Sequence, residues 1–450
     1  MDTNHSRSKT MDGHSDEPGS GHIDTSSRDT DVLIVGASQA GVQLAVSLRE
    51  EGFTGRITLA GAEGHPPYQR PPLSKAVLQG SLTFESLHFR REDFYTAQGI
   101  ELLLGTRVVS VATGPDGSGE ALTERGTVIS FGRLALTVGA RPRRLDIPGA
   151  DSDGVYYLRD ATDSDRLRAA LTRDARIVVI GGGFIGLEVA ASARQLGCQT
   201  SVVLTDDRLM ARAVGPRLSD AFRDAHQRRG VPVHLRTTPL RILANRGHVC
   251  AVELSDGTTI ETDVVVVGIG VSPRTELAEQ MGLAVDNGIV VNERGLTSDG
   301  YTVAAGDCVN SPNPVAPVSG PARMRFESIS TAIEQAKTAA ATLAGRDHSY
   351  RAVPWFWSDQ FDLKLQAAGL ISTTAECVVR GNSTSEKFSV LYYEKDRLIA
   401  GECLNSPSDF VAVRNALNNG KTIDRAAASD PATPLKAGLR DLPLEAEPAA

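Results

Sequence analysis

Two glycine clusters stand at the ends of short apolar runs, and their spacing suits the binding of dinucleotide phosphates. Asp31-Val-Leu-Ile-Val35 runs into Gly36-Ala-Ser-Gln-Ala-Gly41, and Arg176-Ile-Val-Val-Ile180 runs into Gly181-Gly-Gly-Phe-Ile-Gly186. In such a motif the first glycine makes the strand-to-helix turn and the second lets backbone approach a pyrophosphate. The third lets the helix pack closely on the strand. The phosphates then rest on the free N–H groups of the helix N-terminus. Gly181, Gly183 and Gly186 complete the second pattern, whereas Ser38 fills the middle position of the first, between Gly36 and Gly41. Its hydroxyl can itself donate to phosphate. An acid about 20 residues beyond the motif accepts ribose hydroxyls, and Glu63 stands there for the first copy. In the second copy Leu204 holds that position, with Asp206 and Asp207 just beyond.

Other chemistries are excluded by what is missing. Cys198, Cys250, Cys308, Cys377 and Cys403 are dispersed, with no Cys-x-x-Cys pair and no zinc spacing. They read as reduced thiols rather than a disulfide framework. No cysteine precedes Cys198, so the first domain has neither a redox pair nor a single peroxidatic thiol. Nine histidines show no ligand spacing, and His5, His14 and His22 fall in the first segment; no metal site is expected. With 47 basic and 55 acidic side chains the formal charge is −8, and nucleic-acid binding needs a basic footprint. No run approaches the ~18 apolar residues of a membrane helix. The first thirty residues carry only Met1, Met11 and Ile23 as large apolar side chains, too few for a signal-peptide core. A cytoplasmic location and no membrane association are the expectations.

The elements that must position these residues follow from the pattern. Each glycine motif sits between a strand and a helix, and a further strand follows at Ile57-Thr-Leu-Ala60 and at Thr200 to Leu204. Two copies of one βαβ unit predict two doubly wound domains. Val264–Val267 is a β-branched run typical of a buried strand. Thr302–Ala305 predicts another strand, ending at Gly306-Asp307, and Glu327 to Ala344 a helix closed by Gly345. An acid after a strand and a glycine, as at Asp307, can accept a sugar hydroxyl. Beyond Arg346 both tryptophans and alternating strands such as Phe388–Tyr393 predict a smaller α+β domain.

Several further motifs occur in order: Pro71-Pro-Leu-Ser-Lys75, Val138-Gly-Ala-Arg-Pro142, the second glycine motif extended to Glu188, Ala305-Gly-Asp-Cys308, Phe326-Glu-Ser-Ile329 and Pro354-Trp-Phe-Trp-Ser-Asp-Gln360. On these residues the chain resembles, over about 31 to 420, the FAD-dependent NAD(P)H–ferredoxin reductases of bacterial cytochrome P450 and Rieske oxygenase systems. The resemblance is to the putidaredoxin reductase and biphenyl dioxygenase reductase-component types. The resemblance implies an α/β fold with two Rossmann-like domains in a glutathione-reductase-like arrangement, plus a C-terminal α+β domain. The implied division is a disordered tail over 1–30, an FAD domain from 31–145 and 271–345, and an NAD(P)H domain over 146–270. A C-terminal domain over 346–425 and a flexible tail over 426–450 complete it. FAD contacts are implied for Gly36, Ser38, Ala40, Gly41, Glu63, Arg70, Lys75, Val108, Arg159, Asp307, Ile329 and Trp357. NAD contacts are implied for Gly181, Gly183, Ile185, Gly186, Glu188, Asp206 and Gly270.

The implied activity is transfer of electrons from NADH, with NADPH as the other donor, through FAD to a [2Fe–2S] ferredoxin that feeds a Rieske oxygenase or a cytochrome P450. Rubredoxin reductase, monodehydroascorbate reductase and a flavoprotein NADH sensor like apoptosis-inducing factor share the fold and stay open, as does a monomer or homodimer. Three departures from the family pattern are Ser38, Ala62 and Leu204. Lys75 and Glu188 are expected as the catalytic pair beside the flavin, and the helix starting near Ser328 is expected to aim its N-terminus there. Preference for NADH should be softened by Leu204 and by Arg208 beside Asp206 and Asp207. Arg323 and Arg325, in a Ser319–Arg325 segment without acids, are expected to form a cationic patch for the acidic ferredoxin.

Overall fold

The apolar run that leads into the first glycine motif lies inside a sheet. In the computed structural model, which describes residue 1 and residues 27–315 and 320–442, Ser27–Val35 has parallel neighbours on both sides, Ile57–Ala60 and Val128–Leu136. Ile100–Leu103 extends one edge, and Gly119–Thr123 with Val108–Thr113 folds back antiparallel on the other. Val303–Ala304 adds a seventh strand beside Val128–Leu136. Successive side chains point to opposite faces. Val32 and Ile34 therefore join a core with the helices Gln39–Glu50 and Ile329–Leu343, while Leu33 and Val35 join another on the far side. Ala332, Ala336, Ala339 and Ala340 let the second helix lie close to the first.

Arg176–Ile180 centres a second sheet, five-stranded and wholly parallel, in the order Val233–His234, Gln199–Val203, Arg176–Ile180, Val264–Val267, Val155–Tyr156. Strands covered on both faces carry continuous apolar runs, and all four valines of Val264–Val267 are buried. The chain leaves Arg176–Ile180 to one side and returns on the other, so Gly181 stands at a switch point, where open α/β sheets bind ligands.

The third sheet is antiparallel, in the order Trp355–Gln360, Leu363–Gly369, Arg397–Leu404, Lys387–Glu394, Glu376–Asn382. One face packs under the helix Pro407–Asn418. Leu365, Phe388, Val390 and Leu404 on the other join Leu218 and Phe222 of the helix Pro216–Arg228, so this sheet leans on the second Rossmann unit.

Both expected tails are shorter than the sequence suggests. Ser27–Thr30 already pairs with Val128–Phe131, so order begins before residue 31. Residues 426–442, expected to be flexible, form structure: Leu439–Asp441 pairs with Lys421–Ile423, and Ala428 and Leu435 are buried. The physical reason is a buried guanidinium. Arg380 donates to the carbonyls of Ala427, Asp430, Pro431 and Thr433, which ties down a segment whose Ala- and Asp-rich composition gives no such signal. Residues 2–26 and 443–450, and with them the rest of both tails, lie outside the described residues, as does Ser319.

Candidate functional site

At the first loop Gly36 has φ +117°, and a Cβ there would collide with the Thr137 carbonyl. A Cβ on Gly41 would in turn run into the Gly36 carbonyl oxygen. Only glycine lets strand and helix approach in this way. Ser38 precedes the helix Gln39–Glu50, but its hydroxyl makes no capping bond and accepts from Arg70 Nε at 3.2 Å. Among the described residues no side chain caps the helix N-terminus, which keeps its free N–H groups and partial positive charge.

Arg70 gathers the surrounding groups. Its guanidinium pairs with Glu63 and donates to the Arg159 carbonyl at 2.8 Å. Glu63 also accepts from the Tyr68 hydroxyl at 2.5 Å. Burial works to raise the Glu63 pKa, but the Arg70 charge and the Tyr68 hydroxyl outweigh it and hold the carboxyl below its ordinary value. Arg159 Nη2 lies 3.2 Å from Asp307 Oδ2. A Cβ on Gly306 would stand 3.1 Å from the Ala40 side chain, so the Asp307 turn abuts the loop. Val108 is buried on the edge strand of the same sheet. Ser38, Ala40, Glu63, Arg70, Arg159 and Asp307 are thus brought together. A loop with no room for side chains, an uncapped helix N-terminus and carboxylates for sugar hydroxyls fit the diphosphate and polyol of FAD.

A cleft of about 480 Å³ opens nearby, lined by Gln39, Pro71, Lys75, Glu188, Ile329 and Trp357 among others. Lys75 follows the turn Pro71–Ser74, whose two leading prolines fix φ. Its Nζ is 2.7 Å from Glu188 Oε2. Glu188, only 3% exposed, also accepts from Ser74 Oγ at 2.5 Å and from Ser358 Oγ at 2.7 Å. A charged acceptor with several donors holds one orientation. The helix Ile329–Leu343 begins at the same cleft, where Ser328 Oγ accepts from the Thr331 N–H at 3.2 Å. The Ser330 hydroxyl donates to the Trp355 carbonyl at 2.5 Å, linking this helix end to the strand that carries Trp357.

The second loop repeats the first. Gly181 has φ +115°, and a Cβ on Gly186 would lie 2.7 Å from the Gly181 carbonyl oxygen. Gly183 precedes the helix Phe184–Gln195 with no side-chain cap. Ile185 is exposed on the first turn, Asp206 is exposed beyond the next strand, and Gly270 takes φ +100° across the loop. Leu204 turns inward onto Gly182 and Leu209. This uncapped N-terminus fits the diphosphate of a nicotinamide dinucleotide.

Two expectations are corrected. Arg208 is not free to meet a 2′-phosphate, because it donates to the carbonyls of Ala211 and Val214 at 2.6 Å and to Ser219 Oγ at 3.0 Å. Arg323 and Arg325 do not form an exposed patch. Arg323 donates to the Val291 and Asn310 carbonyls at 2.5 and 2.7 Å, and the Arg325 side chain, 7% exposed, pairs with Glu327 at 2.5 Å. In both places a guanidinium serves backbone carbonyls or a neighbouring acid. Ser74 and Ser358 were missed as site residues although both stand in the motifs quoted above. Burial pushes the Cys308 thiol up to about 12, which leaves it un-ionised and inert.

A family model described as pyridine nucleotide-disulphide oxidoreductase matches residues 30–336, and one described as reductase C-terminal matches residues 355–439. Rhodocoxin reductase of Rhodococcus erythropolis is 43% identical over 415 residues, covering 92% of this chain and 93% of that protein. The crystal structure of the ferredoxin reductase for the CYP199A2 system from Rhodopseudomonas palustris is similar at a TM-score of 0.86 and 42% identity. It covers 91% of this chain and 100% of that one. The reductase in the covalent putidaredoxin reductase–putidaredoxin complex matches at a TM-score of 0.85 and 37% identity, covering 90% and 97%.

Proposed function

Because the chain belongs to the pyridine nucleotide-disulphide oxidoreductase family, an FAD- and NAD(P)H-using group of oxidoreductases, we propose that it is a ferredoxin reductase. In this reading it carries electrons from NADH to a [2Fe–2S] ferredoxin that feeds a Rieske oxygenase or a cytochrome P450. The observation that carries the reading is the Lys75–Glu188 pair in a cleft that Gln39 of the first glycine loop also lines, with Glu188 on the helix that follows the second loop and no cysteine in the lining. Disulfide chemistry has no thiol pair to use in the first Rossmann unit, so electrons must leave by another route. The similarity to a reductase solved in covalent complex with putidaredoxin supports an iron–sulfur protein as acceptor.

When bound, FAD supplies hydride acceptance from the nicotinamide and release of single electrons. The chain's own residues bind and orient. The helix N-terminus at Gln39 receives the FAD diphosphate, and Glu63 and Asp307 accept from its hydroxyls. The N-terminus at Phe184 receives the NADH diphosphate, with Asp206 disfavouring a 2′-phosphate. Lys75 places a positive charge where negative charge develops, Glu188 fixes that ammonium, and the N-terminus at Ile329 adds a second positive pole. The working division is an FAD domain from 31–145 and 271–345, an NAD(P)H domain over 146–270 and a C-terminal domain from 346. Anaerobic mixing with NADH and NADPH tests the reading. Bound flavin should bleach within a single turnover, faster with NADH. A flavin left oxidised by both would overturn it.

A further inference from the structure

We propose that Ser358, from the C-terminal sheet, is a positioning residue for the Lys75–Glu188 pair, ending a one-way chain of hydrogen-bond donors that starts at His226. The inference rests on the reading of Lys75 and Glu188 as the flavin-facing pair.

The chain of contacts leaves the second Rossmann unit for the C-terminal sheet and returns to it at Glu188, which meets Lys75 of the first unit. His226 Nε2 is 2.8 Å from Gln360 Oε1, Gln360 Nε2 is 3.2 Å from Ser358 Oγ, and Ser358 Oγ is 2.7 Å from Glu188 Oε1. His226, Gln360 and Ser358 are each 0% exposed, so no water competes for these groups from the surface. The directions follow from the carboxylate outward. Glu188, paired with the Lys75 ammonium, only accepts, so the Ser358 proton points to it. The Ser358 oxygen is then free to accept, and the amide N–H of Gln360 fills it. That orientation turns the Gln360 carbonyl to His226, whose Nε2 must carry the proton. Burial pushes the imidazole pKa down to about 4, so the ring is neutral and its Nδ1 is a bare acceptor; that atom has no partner among the described residues. Donors aligned in one direction polarise one another.

The two carboxylate oxygens are served unequally. Ser74 and Lys75 both reach Oε2, whereas Ser358 is the one donor to Oε1 among the described residues. Removing it leaves a buried carboxylate oxygen unpaired, lets the carboxylate rotate, and frees Lys75 from a fixed place. A side chain there only for packing would need no hydroxyl.

The test uses the FAD-loaded protein with Ser358→Ala, Ser358→Thr and Lys75→Met. It reads the flavin midpoint potential and the single-turnover rate of flavin reduction by NADH, with thermal unfolding as a check on folding. A lost hydrogen bond to a buried charge should slow reduction by about tenfold in Ser358→Ala, and lower the potential because the Glu188 charge is less neutralised. Ser358→Thr, which keeps the hydroxyl, should recover most of both. If Ser358→Ala matches the parent while Lys75→Met does not, the positioning role is wrong and the pair stands. Thr behaving like Ala would assign the position to packing and overturn the inference. If Lys75→Met changes neither readout, the pair itself fails and the inference with it.

Discussion

Leu204, just beyond the strand Gln199–Val203, has a side chain that can neither accept a ribose hydroxyl nor repel a phosphate, and it turns onto Gly182 instead. In the proposed reading, discrimination between NADH and NADPH falls to the exposed Asp206 and to Asp207, which lies 3.9 Å from Arg236. NADH should be favoured, and Arg208→Ala should leave the ratio of kcat/KM values within about twofold, as for a residue outside the site. A marked rise of the ratio toward NADH would show that Arg208 does reach a phosphate. At this scale the sequence was legible wherever a motif fixes backbone. Gly36, Gly41, Gly181 and Gly186 are demanded by collisions that no other residue escapes, and Lys75 and Glu188 meet as their motifs imply. It was illegible for arginines, whose long side chains reach carbonyls far away in sequence. Arg323 reaching Val291 is one case and Arg380 reaching Thr433 another.

Between elements, the contact to watch is the strand Arg397–Leu404 against the N-terminus of the helix Pro216–Arg228. Glu402 Oε1 accepts from the Gly215 N–H at 2.8 Å, and its Oε2 accepts from the Tyr392 hydroxyl at 2.6 Å. Burial pushes this carboxyl from an ordinary 4.5 up to about 7, against the opposing pull of both hydrogen bonds and Arg208. The folded protein therefore holds this proton more tightly than the unfolded chain, and stability falls as pH rises from about 4.5 to about 7. The cost, about 3 kcal/mol, is fully present above that range. Glu402→Gln should raise the unfolding midpoint at pH 8 and lose the advantage near pH 5, as measured by urea unfolding at both values. An equal effect at both would mean that the carboxyl is not protonated in the folded state. The strands and helices here were readable from apolar runs and alternation. The joint was not, because a glutamate inside a strand gives no sign of the helix it will meet 187 residues away, and the 426–442 segment is held by Arg380, 47 to 53 residues before its partners.

At the scale of the whole molecule, three sheets converge on one cleft, and each sends a group to it: Lys75 on the turn beside the first, Glu188 on a helix of the second, Trp357 on the third, with Ser358 buried behind Glu188. The pattern of two βαβ units and a trailing antiparallel sheet was visible in sequence, since strand–glycine–helix grammar is local. How the third sheet leans on the second unit was not, since that packing joins Leu218 and Phe222 to Leu365 and Phe388 across more than a hundred residues. Among the described residues no helix is long and apolar enough to cross a membrane. With Arg323 and Arg325 turned inward, a ferredoxin has to meet other charges than those. The most direct measurement is anaerobic stopped-flow mixing of the NADH-reduced protein with an oxidised [2Fe–2S] ferredoxin, and in parallel with rubredoxin, each followed at its own iron–sulfur absorbance. The expected result is rapid one-electron reduction of the ferredoxin as the flavin reoxidises, well ahead of rubredoxin. A flavin that bleaches with NADH yet leaves the ferredoxin oxidised would contradict the proposed function.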